Sequence, residues 1–547
     1  MKVLPYGERG TYVDLEAGDA ADRSARTRGL ARRLRAAFPE ADVVYGAGVV
    51  AVFGAAIDDV RASIARGVRG SAPPAPADDA RGSIAADGGA PTLLDDAREH
   101  VIPVVYDGPD LDEVAARIGA SREDVIALHA GRSYEVELVG FLPGFAYAGP
   151  LDPRLVIPRR PAPRPRVSAQ SVAIAGAFTG VYPLASPGGW NLLGTSVGPL
   201  PFDPSRDAPF LFAPGDRVRF VPVTSSEAPP EQRPARGSVT ARADELTGAP
   251  QNGRGAPPNA WDPNDSTRPA LIVARPPGLA TVQDGGRLGM LSRGMPPSGP
   301  LDPELFSAAN RAVGNVEGAA AIELVAGSLS LLARGDVAVS IDGAPALLAR
   351  DGEALRVPEP ERAVRYVAVS GGVDCPIVVG ARATLLGARV GGVEGRALRR
   401  GDVIPARSSA GPLAPSRARL DEDPPLDATA IAPIEVDPGP HVDRFPAGAL
   451  DVLLASEWRL SRLVDRTGAR LEGARVPRSG PDLAAPVPMR RGAVQITTDG
   501  TPIVLGPDHP TTGGYPVLAV VRAASFGALA QRRPGDAVRF RLAPPAG

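Results

Sequence analysis

Between Tyr134 and Gly140 the chain alternates. Tyr134, Val136, Leu138 and Gly140 share one side and Glu135, Glu137 and Val139 the other, which predicts a half-buried strand. Gly140, Pro143, Gly144 and Gly149 then break the pattern, with Phe141, Phe145 and Tyr147 set among them as exposed aromatics. Glycine and proline fix unusual backbone angles while aromatic rings supply flat apolar area. The stretch therefore reads as a pocket wall, with a barrel-closing loop of core aromatics as the plainer alternative.

The N-terminal segment, 1–70, predicts a small α+β unit in the order β-β-α-β-β-α. Strands fit VLPY and TYVDL, a helix capped by Asp19 fits 19–38, a hairpin fits 41–53 and a second helix fits 57–66. Residues 70–97 are Ala, Pro, Gly and Asp with few large apolar side chains, a linker composition. A strand at VIPVV and a helix from Leu111 follow. The next helix opens with Ser121 and Asp124 in capping-box spacing and closes on His129, read as a favourable contact with the helix dipole. Short β-like pieces run to Val223. Linker composition returns at 224–268 and 407–429, which divides the rest into units at 98–223, 269–406 and 430–545.

The chain also echoes itself. SVAIAGAFTGVYPLASPGGW, from Ser171, resembles AVQITTDGTPIVLGPDHPTTGGYP, from Ala493, so that Val172 maps to Val494 and Gly188 to Gly513. Both copies then reach a Pro-Gly-Asp turn followed by Val-Arg-Phe, at 214–220 and 534–540. Such self-similarity predicts a duplicated β unit, and many short strands favour closure into a barrel.

Composition narrows the chemistry. The 547 residues carry a formal charge of −2, so nothing general favours nucleic acid or an acidic membrane as partner. No apolar run of about 18 residues occurs, and MKVLPYGERG lacks a signal-peptide core; the expected location is the cytoplasm. Cys375 is the single cysteine, which excludes an internal disulfide and a thiolate zinc cluster, and His100, His129, His441 and His509 are scattered, so no metal is expected. Lys2 is the only lysine. A Walker A loop and a biotin carrier each require a lysine, so this chain by itself carries neither a P-loop nor a biotin attachment. Arginines supply planar donors for carboxylate or phosphate instead.

A family resemblance rests on specific stretches. LHAGRSYEVELVGFLPGFAYAGPLDPRL, PRVSAQSVAIAG and TGVYPLASPGGWNLLGT resemble the KipI family, also called allophanate hydrolase subunit 1 or the 5-oxoprolinase B subunit. VQDGGRLGM, SGPLDPELFSAANRAVGN, DRTGARLEG, RGAVQITTDGTPIVL and DHPTTGGYP resemble the KipA family, also called allophanate hydrolase subunit 2, the 5-oxoprolinase C subunit or biotin-dependent carboxyltransferase. The order is that of a B–C fusion. The resemblance implies a mainly β protein with an α+β N-terminal domain and multiple cyclophilin-like β-barrels. Departures exist: Thr195 stands where the family usually has arginine after Gly194, Ser168-Ala169-Gln170 replaces a common Pro-Ala-Gly, and Pro486-Val487-Pro488 replaces a common Ser-Glu-Gly.

The resemblance implies ATP-dependent opening of 5-oxoproline to glutamate, with a separate LamB/YcsF-type 5-oxoprolinase A subunit as partner and ATP bound at the level of the complex. Two other readings are a carboxyltransferase acting on a urea-like amide and a KipI/KipA-type histidine kinase regulator; a homo-oligomer is also expected. Opening a stabilised amide requires donors around a developing oxyanion, a carboxylate binder and exclusion of water. Backbone amides of Gly188-Gly189 and Gly513-Gly514 fit the first role, and Arg164 and Arg166 the second. Gln283, Asp284, Arg287 and Asp508 are the candidate catalytic residues, an aspartate being the expected base. Phe145, Tyr147, Trp190, Asp302, Asn310, Gln495, Thr511, Thr512 and Tyr515 complete the expected substrate wall. Asp508→Ala is expected to abolish turnover without changing the melting temperature.

Overall fold

The computed structural model describes residues 1–15, 20–46, 48–69, 97–224, 268–275, 278–360, 362–407, 432–483 and 485–544. Asp19 and nearly all of the three expected linkers lie outside the described residues.

The N-terminal unit follows the expected order. Lys2–Pro5, Gly10–Asp14, Val49–Phe53 and Asp42–Gly46 lie side by side in one antiparallel sheet, with the helices Ala20–Ala37 and Ile57–Arg69 packed on it. Val13, Leu30, Leu34, Val50 and Val60 fill the space between.

Next comes a closed barrel. Its strands run in the order Phe178–Val181, Ala146–Gly149, Ser133–Val139, Arg217–Pro222, Glu99–Val105, Asn191–Ser196, Ser171–Ala175 and back to the first. Two helices, Leu111–Ile118 and Arg122–Ala130, precede Ser133–Val139. The Ser121–Asp124 capping box forms as expected, each side chain bonding the other residue's backbone N–H. His129 does not act as a cation at the helix end. Its ring is fully buried, held by the Tyr106 hydroxyl at 2.7 Å and Thr179 Oγ1 at 2.8 Å, and burial pushes it down to about 3, so it stays neutral.

The last unit repeats this plan. Its order is Ala537–Val538, Trp458–Val464, Gly468–Glu472, Pro502–Leu505, Ala493–Ile496, Val517–Val521, Ile434–Pro438 and Phe540–Leu542. The two ends of that order flank Arg539, so a single interrupted segment nearly closes the ring. In both units the opening strand pairs in parallel with the closing one, Glu99–Val105 with Arg217–Pro222 and Ile434–Pro438 with Phe540–Leu542. Ser171–Ala175 and Ala493–Ile496 hold equivalent places, and Gly188 and Gly513 lie on equivalent short ribbons. The echo in sequence is a duplication in structure.

The middle unit is arranged differently. A four-stranded sheet (Ala354–Val357, Leu329–Arg334, Ala270–Arg275, Val403–Pro405) and a five-stranded one (Leu279–Gln283, Ala321–Ala326, Arg365–Val369, Val337–Ile341, Leu347–Ala349) enclose one apolar core. The helix Pro303–Ala312 covers Arg365–Val369 through Phe306, Ala309 and Tyr366. Among the described residues no helix is long and apolar enough to cross a membrane.

The chain closes head to tail. Tyr6, Tyr12 and Ala51 of the N-terminal unit share an apolar cluster with Met489, Val517 and Val520 of the last barrel. The Tyr6 hydroxyl donates to Pro488 O at 3.1 Å. At the same seam the Val517 N–H donates to His441 Nδ1 at 3.1 Å, so the ring carries its proton on Nε2, which reaches the Tyr12 hydroxyl at 3.0 Å. Burial pushes His441 down to about 4.

Depressed histidines set an acid limit. His129, His441 and His509 are held neutral in the fold but ionise near pH 6.5 when unfolded, so stability is complete above that value and is lost as pH falls toward the folded values of about 3 to 4. Each contributes up to about 1.4 kcal/mol per pH unit in that window. Calorimetry from about pH 7.5 to pH 4.5 is expected to show a steadily falling Tm, with a shallower slope in His441→Gln; an unchanged slope counts against the seam.

Candidate functional site

Three units meet at a cleft of about 1100 Å³. The first barrel supplies Phe141 and Leu142, the middle unit Leu386, and the last barrel Arg466, Asp508 and His509. Both glycine-bearing rims reach it, since residues 185–187 and 506–510 all line its wall. The rims also touch directly. A Cβ added to Gly140 would lie 2.3 Å from the Thr512 side chain, so only glycine lets the backbone approach this closely.

At the floor stands Arg466. Its guanidinium donates to Asp508 Oδ2 at 2.8 Å and Oδ1 at 3.2 Å, to Gly299 O at 2.6 Å, and to Glu323 Oε1. Glu323, fully buried, also accepts from the Tyr366 hydroxyl at 2.7 Å and the Leu301 N–H at 2.8 Å. Although burial disfavours the charge, the two carboxylates hold Arg466 well above the usual guanidinium range. The pairing ties the middle unit to the last one. Beside it, Arg491 donates to Pro300 O at 2.9 Å and Leu301 O at 2.6 Å and stacks 4.1 Å over the Phe526 ring; burial pushes it down to about 10.

His509 is a buried neutral imidazole on the cleft wall. It is 1% exposed and burial pushes it down to about 4, leaving a neutral ring at neutral pH. Its Nδ1 lies 3.0 Å from Pro510 O, an acceptor only, so Nδ1 carries the proton and Nε2 is a free lone pair. On the strand Trp458–Val464, Arg462 lines the same cleft and makes no ion pair among the described residues.

The residues expected from sequence divide into three groups. Asp508, Thr511 and Thr512 gather at the cleft and rim, with both threonine hydroxyls buried and unpartnered among the described residues. Gln495 supports that loop from below, its amide donating to Tyr515 O at 3.3 Å; Gly513 packs against the same amide, Gly514 faces open space and Tyr515 is half-buried.

The middle-unit candidates are spent on backbone. Gln283 donates to Thr281 Oγ1 at 3.0 Å and Thr384 O at 3.1 Å, while Asp284 accepts from the Gly286 N–H at 2.9 Å and the Arg382 N–H at 2.6 Å. Arg287 is buried and bonds the carbonyls of Val378 and Ala383. Asp302 caps the helix Pro303–Ala312 through the Leu305 N–H at 3.1 Å, and Asn310 bonds Ala319 O at 2.9 Å. These side chains hold loops together, with Gln283 Oε1 and Arg287 Nη1 left buried and unpartnered among the described residues.

On the first barrel the pocket-wall reading holds for Phe141, which lines the cleft with Leu142 and Pro143, and the plainer alternative of core aromatics holds for the rings behind it. Phe145, Tyr147 and Trp190 are 1%, 4% and 5% exposed and pack edge to face with centroids 5.0 to 5.6 Å apart, so they fill the rim. Gly188 backs onto the Tyr182 hydroxyl, where a Cβ would come within 2.4 Å, and Gly189 accepts from the Arg160 N–H at 2.8 Å. Arg164 is paired with Asp110 at 2.6 Å, and Arg166 is exposed on the same ribbon. Thr195, where the family has arginine, donates to Asp107 at 3.0 Å.

Arg466, Glu323 and His509 escaped the sequence reading. Each left a trace: Arg466 lies in the DRTGARLEG motif, His509 follows Asp508, and Glu323 interrupts the apolar strand Ala321–Ala326.

Comparison with known proteins decides the family. The carboxyltransferase domain, subdomains A and B, matches residues 293–542, and the carboxyltransferase domain, subdomains C and D, matches residues 1–212. The chain is 32% identical over 285 residues to the 5-oxoprolinase C subunit of Escherichia coli K12, covering 49% of this chain and 90% of the relative. This chain belongs to the carboxyltransferase-domain family, as a KipI/KipA-type fusion. It is 55% identical over 124 residues to the 5-oxoprolinase B subunit of Escherichia coli O157:H7, covering 22% of this chain and 56% of that relative, little more than half its length. A urea amidolyase of Lachancea kluyveri is 30% identical over 309 residues, 50% of this chain and 17% of the relative. The crystal structure of TTHA0988 superposes with a TM-score of 0.75 at 34% identity, covering 97% of this chain and 100% of that one.

Asp508 is tied into the fold. Because it shares Arg466 with Glu323, the expectation that Asp508→Ala leaves melting unchanged gives way to a measurable fall in Tm. Arg466→Met leaves two buried carboxylates unpaired and is expected to cost about 3–5 kcal/mol in denaturant unfolding. A loss below about 1 kcal/mol, the scale of a surface pair, would remove Arg466 from the centre of this site.

Proposed function

We propose that this chain is the fused B and C component of an ATP-dependent 5-oxoprolinase, which hydrolyses 5-oxo-L-proline to L-glutamate together with a separate LamB/YcsF-type A subunit. One observation carries the reading: the cleft is walled by the B-like and the C-like parts together, so a fused chain holds the site in one piece.

Within that cleft Arg462 pairs with the substrate carboxylate, a planar fork meeting two oxygens. His509 Nε2 accepts a proton from the attacking water, and Asp508, fixed by Arg466, holds negative charge beside it. Apolar walls at Phe141, Leu142 and Leu386 limit bulk water. ATP supplies a phosphorylated lactam oxygen as a better leaving group. Its site belongs to the complex: this chain has no P-loop lysine, and the Gly188 turn is filled by Tyr182 and leaves no phosphate cradle.

Carboxyl transfer to a urea-like amide is the second reading, favoured by the carboxyltransferase domain matches. The two separate in one assay. The chain mixed with its LamB/YcsF-type partner, ATP and 5-oxoproline is expected to release glutamate and ADP, while the chain alone releases neither. A silent mixture that instead consumes carboxybiotin in the presence of urea moves the assignment to carboxyl transfer. Arg462→Gln is expected to raise KM about tenfold with little change in kcat, the loss of one charge-assisted pair; a fall in kcat alone counts against carboxylate binding there.

A further inference from the structure

A second polar junction lies away from the cleft. The strand Asp42–Gly46 of the N-terminal unit packs on Ser133–Val139 of the first barrel and on the turn Leu291–Arg293 of the middle unit. Tyr45 points into this three-way contact. It is 3% exposed, and its hydroxyl is buried with no hydrogen-bond partner among the described residues. Buried hydroxyls are almost always paired, so this one calls for a ligand.

Guanidinium groups surround it. Arg35 lies 5.8 Å over the Tyr45 ring and commits one N–H to Val43 O at 2.9 Å. Arg28, on the same helix as Arg35, is tied to Glu135. Arg293 ends the turn that packs on the Tyr45 strand, lies 5.8 Å over the Phe210 ring, and makes no ion pair among the described residues. The carboxylates in reach are taken: Asp216 by His100 at 2.8 Å and the Ala213 N–H at 2.9 Å, Asp42 by the Gly289 N–H at 2.9 Å. Burial first, and then the positive neighbours Arg35 and Arg98, push Arg293 down to about 10 against the opposing pull of Asp216.

We propose that Tyr45, Arg35 and Arg293 form a binding site for a tetrahedral oxyanion of the phosphate class, at the junction of the N-terminal, first-barrel and middle units. Donors converge from several directions, which suits a group with three acceptor oxygens; a planar carboxylate is satisfied by the fork of one arginine. An anion held there pairs with Arg293, accepts from the Tyr45 hydroxyl and ties three units together.

The test uses the full chain with inorganic phosphate, in thermal unfolding and titration calorimetry, against sodium chloride of equal ionic strength and against acetate. Phosphate is expected to bind and raise Tm, and acetate to do neither. Arg293→Gln is expected to weaken phosphate binding about tenfold or more, the loss of one charge-assisted bond. The same variant is expected to lose the phosphate-dependent rise in Tm while keeping the parent's Tm in phosphate-free buffer within a few degrees. Tyr45→Phe is expected to weaken binding about threefold. A phosphate gain undiminished in Arg293→Gln overturns the site, and acetate binding equal to phosphate overturns the ligand class. If Arg293→Gln does not fold, undiminished affinity in both Arg293→Lys and Tyr45→Phe overturns it equally.

Discussion

One guanidinium holds the centre of this molecule. Arg466 reaches from the last barrel to Glu323 on a middle-unit strand and to Asp508 of its own unit, and it also donates to the Gly299 carbonyl of the middle unit. Two carboxylates share that arginine, and Arg491 stands beside it as a second cation. Neither acid is independent, because the position of each is set by the cation they share. The same contact that orients Asp508 therefore joins two units of the fold, and site geometry and interdomain geometry are one constraint.

Around that contact, duplication explains how a cleft arises. Two barrels of the same strand order present equivalent ribbons, one at Gly188 and one at Gly513. The second rim presents the Thr511 and Thr512 hydroxyls, while the first is packed with Phe145, Tyr147, Tyr182 and Trp190. The copies have thus specialised, one giving apolar wall and close backbone approach at Gly140, the other giving charge and a neutral imidazole.

Much of this was legible in sequence where the cause is local. Alternation located the strand Ser133–Val139, the Ser121–Asp124 spacing located a helix start, and the echo located the duplication. What escaped depends on partners far along the chain. Phe145 and Tyr147 read as exposed because the turn around them broke the pattern, yet their ring neighbours Trp190 and Tyr182 come from another hairpin. Gln283, Asp284 and Arg287 clustered in sequence as an active site would, but turns rich in glycine consume such groups in fixing backbone. Glu323 and Arg466 meet only across a unit boundary, which no periodicity reports.

The head-to-tail seam bears on how the chain is made. Tyr6 and Tyr12 leave the ribosome first, while their partners Met489 and Val517 are translated near the end. At about 5–20 residues per second, an apolar face waits tens of seconds for its cover. Tethering both halves in one polypeptide then makes the closing encounter independent of protein concentration, an advantage that two separately translated polypeptides lack.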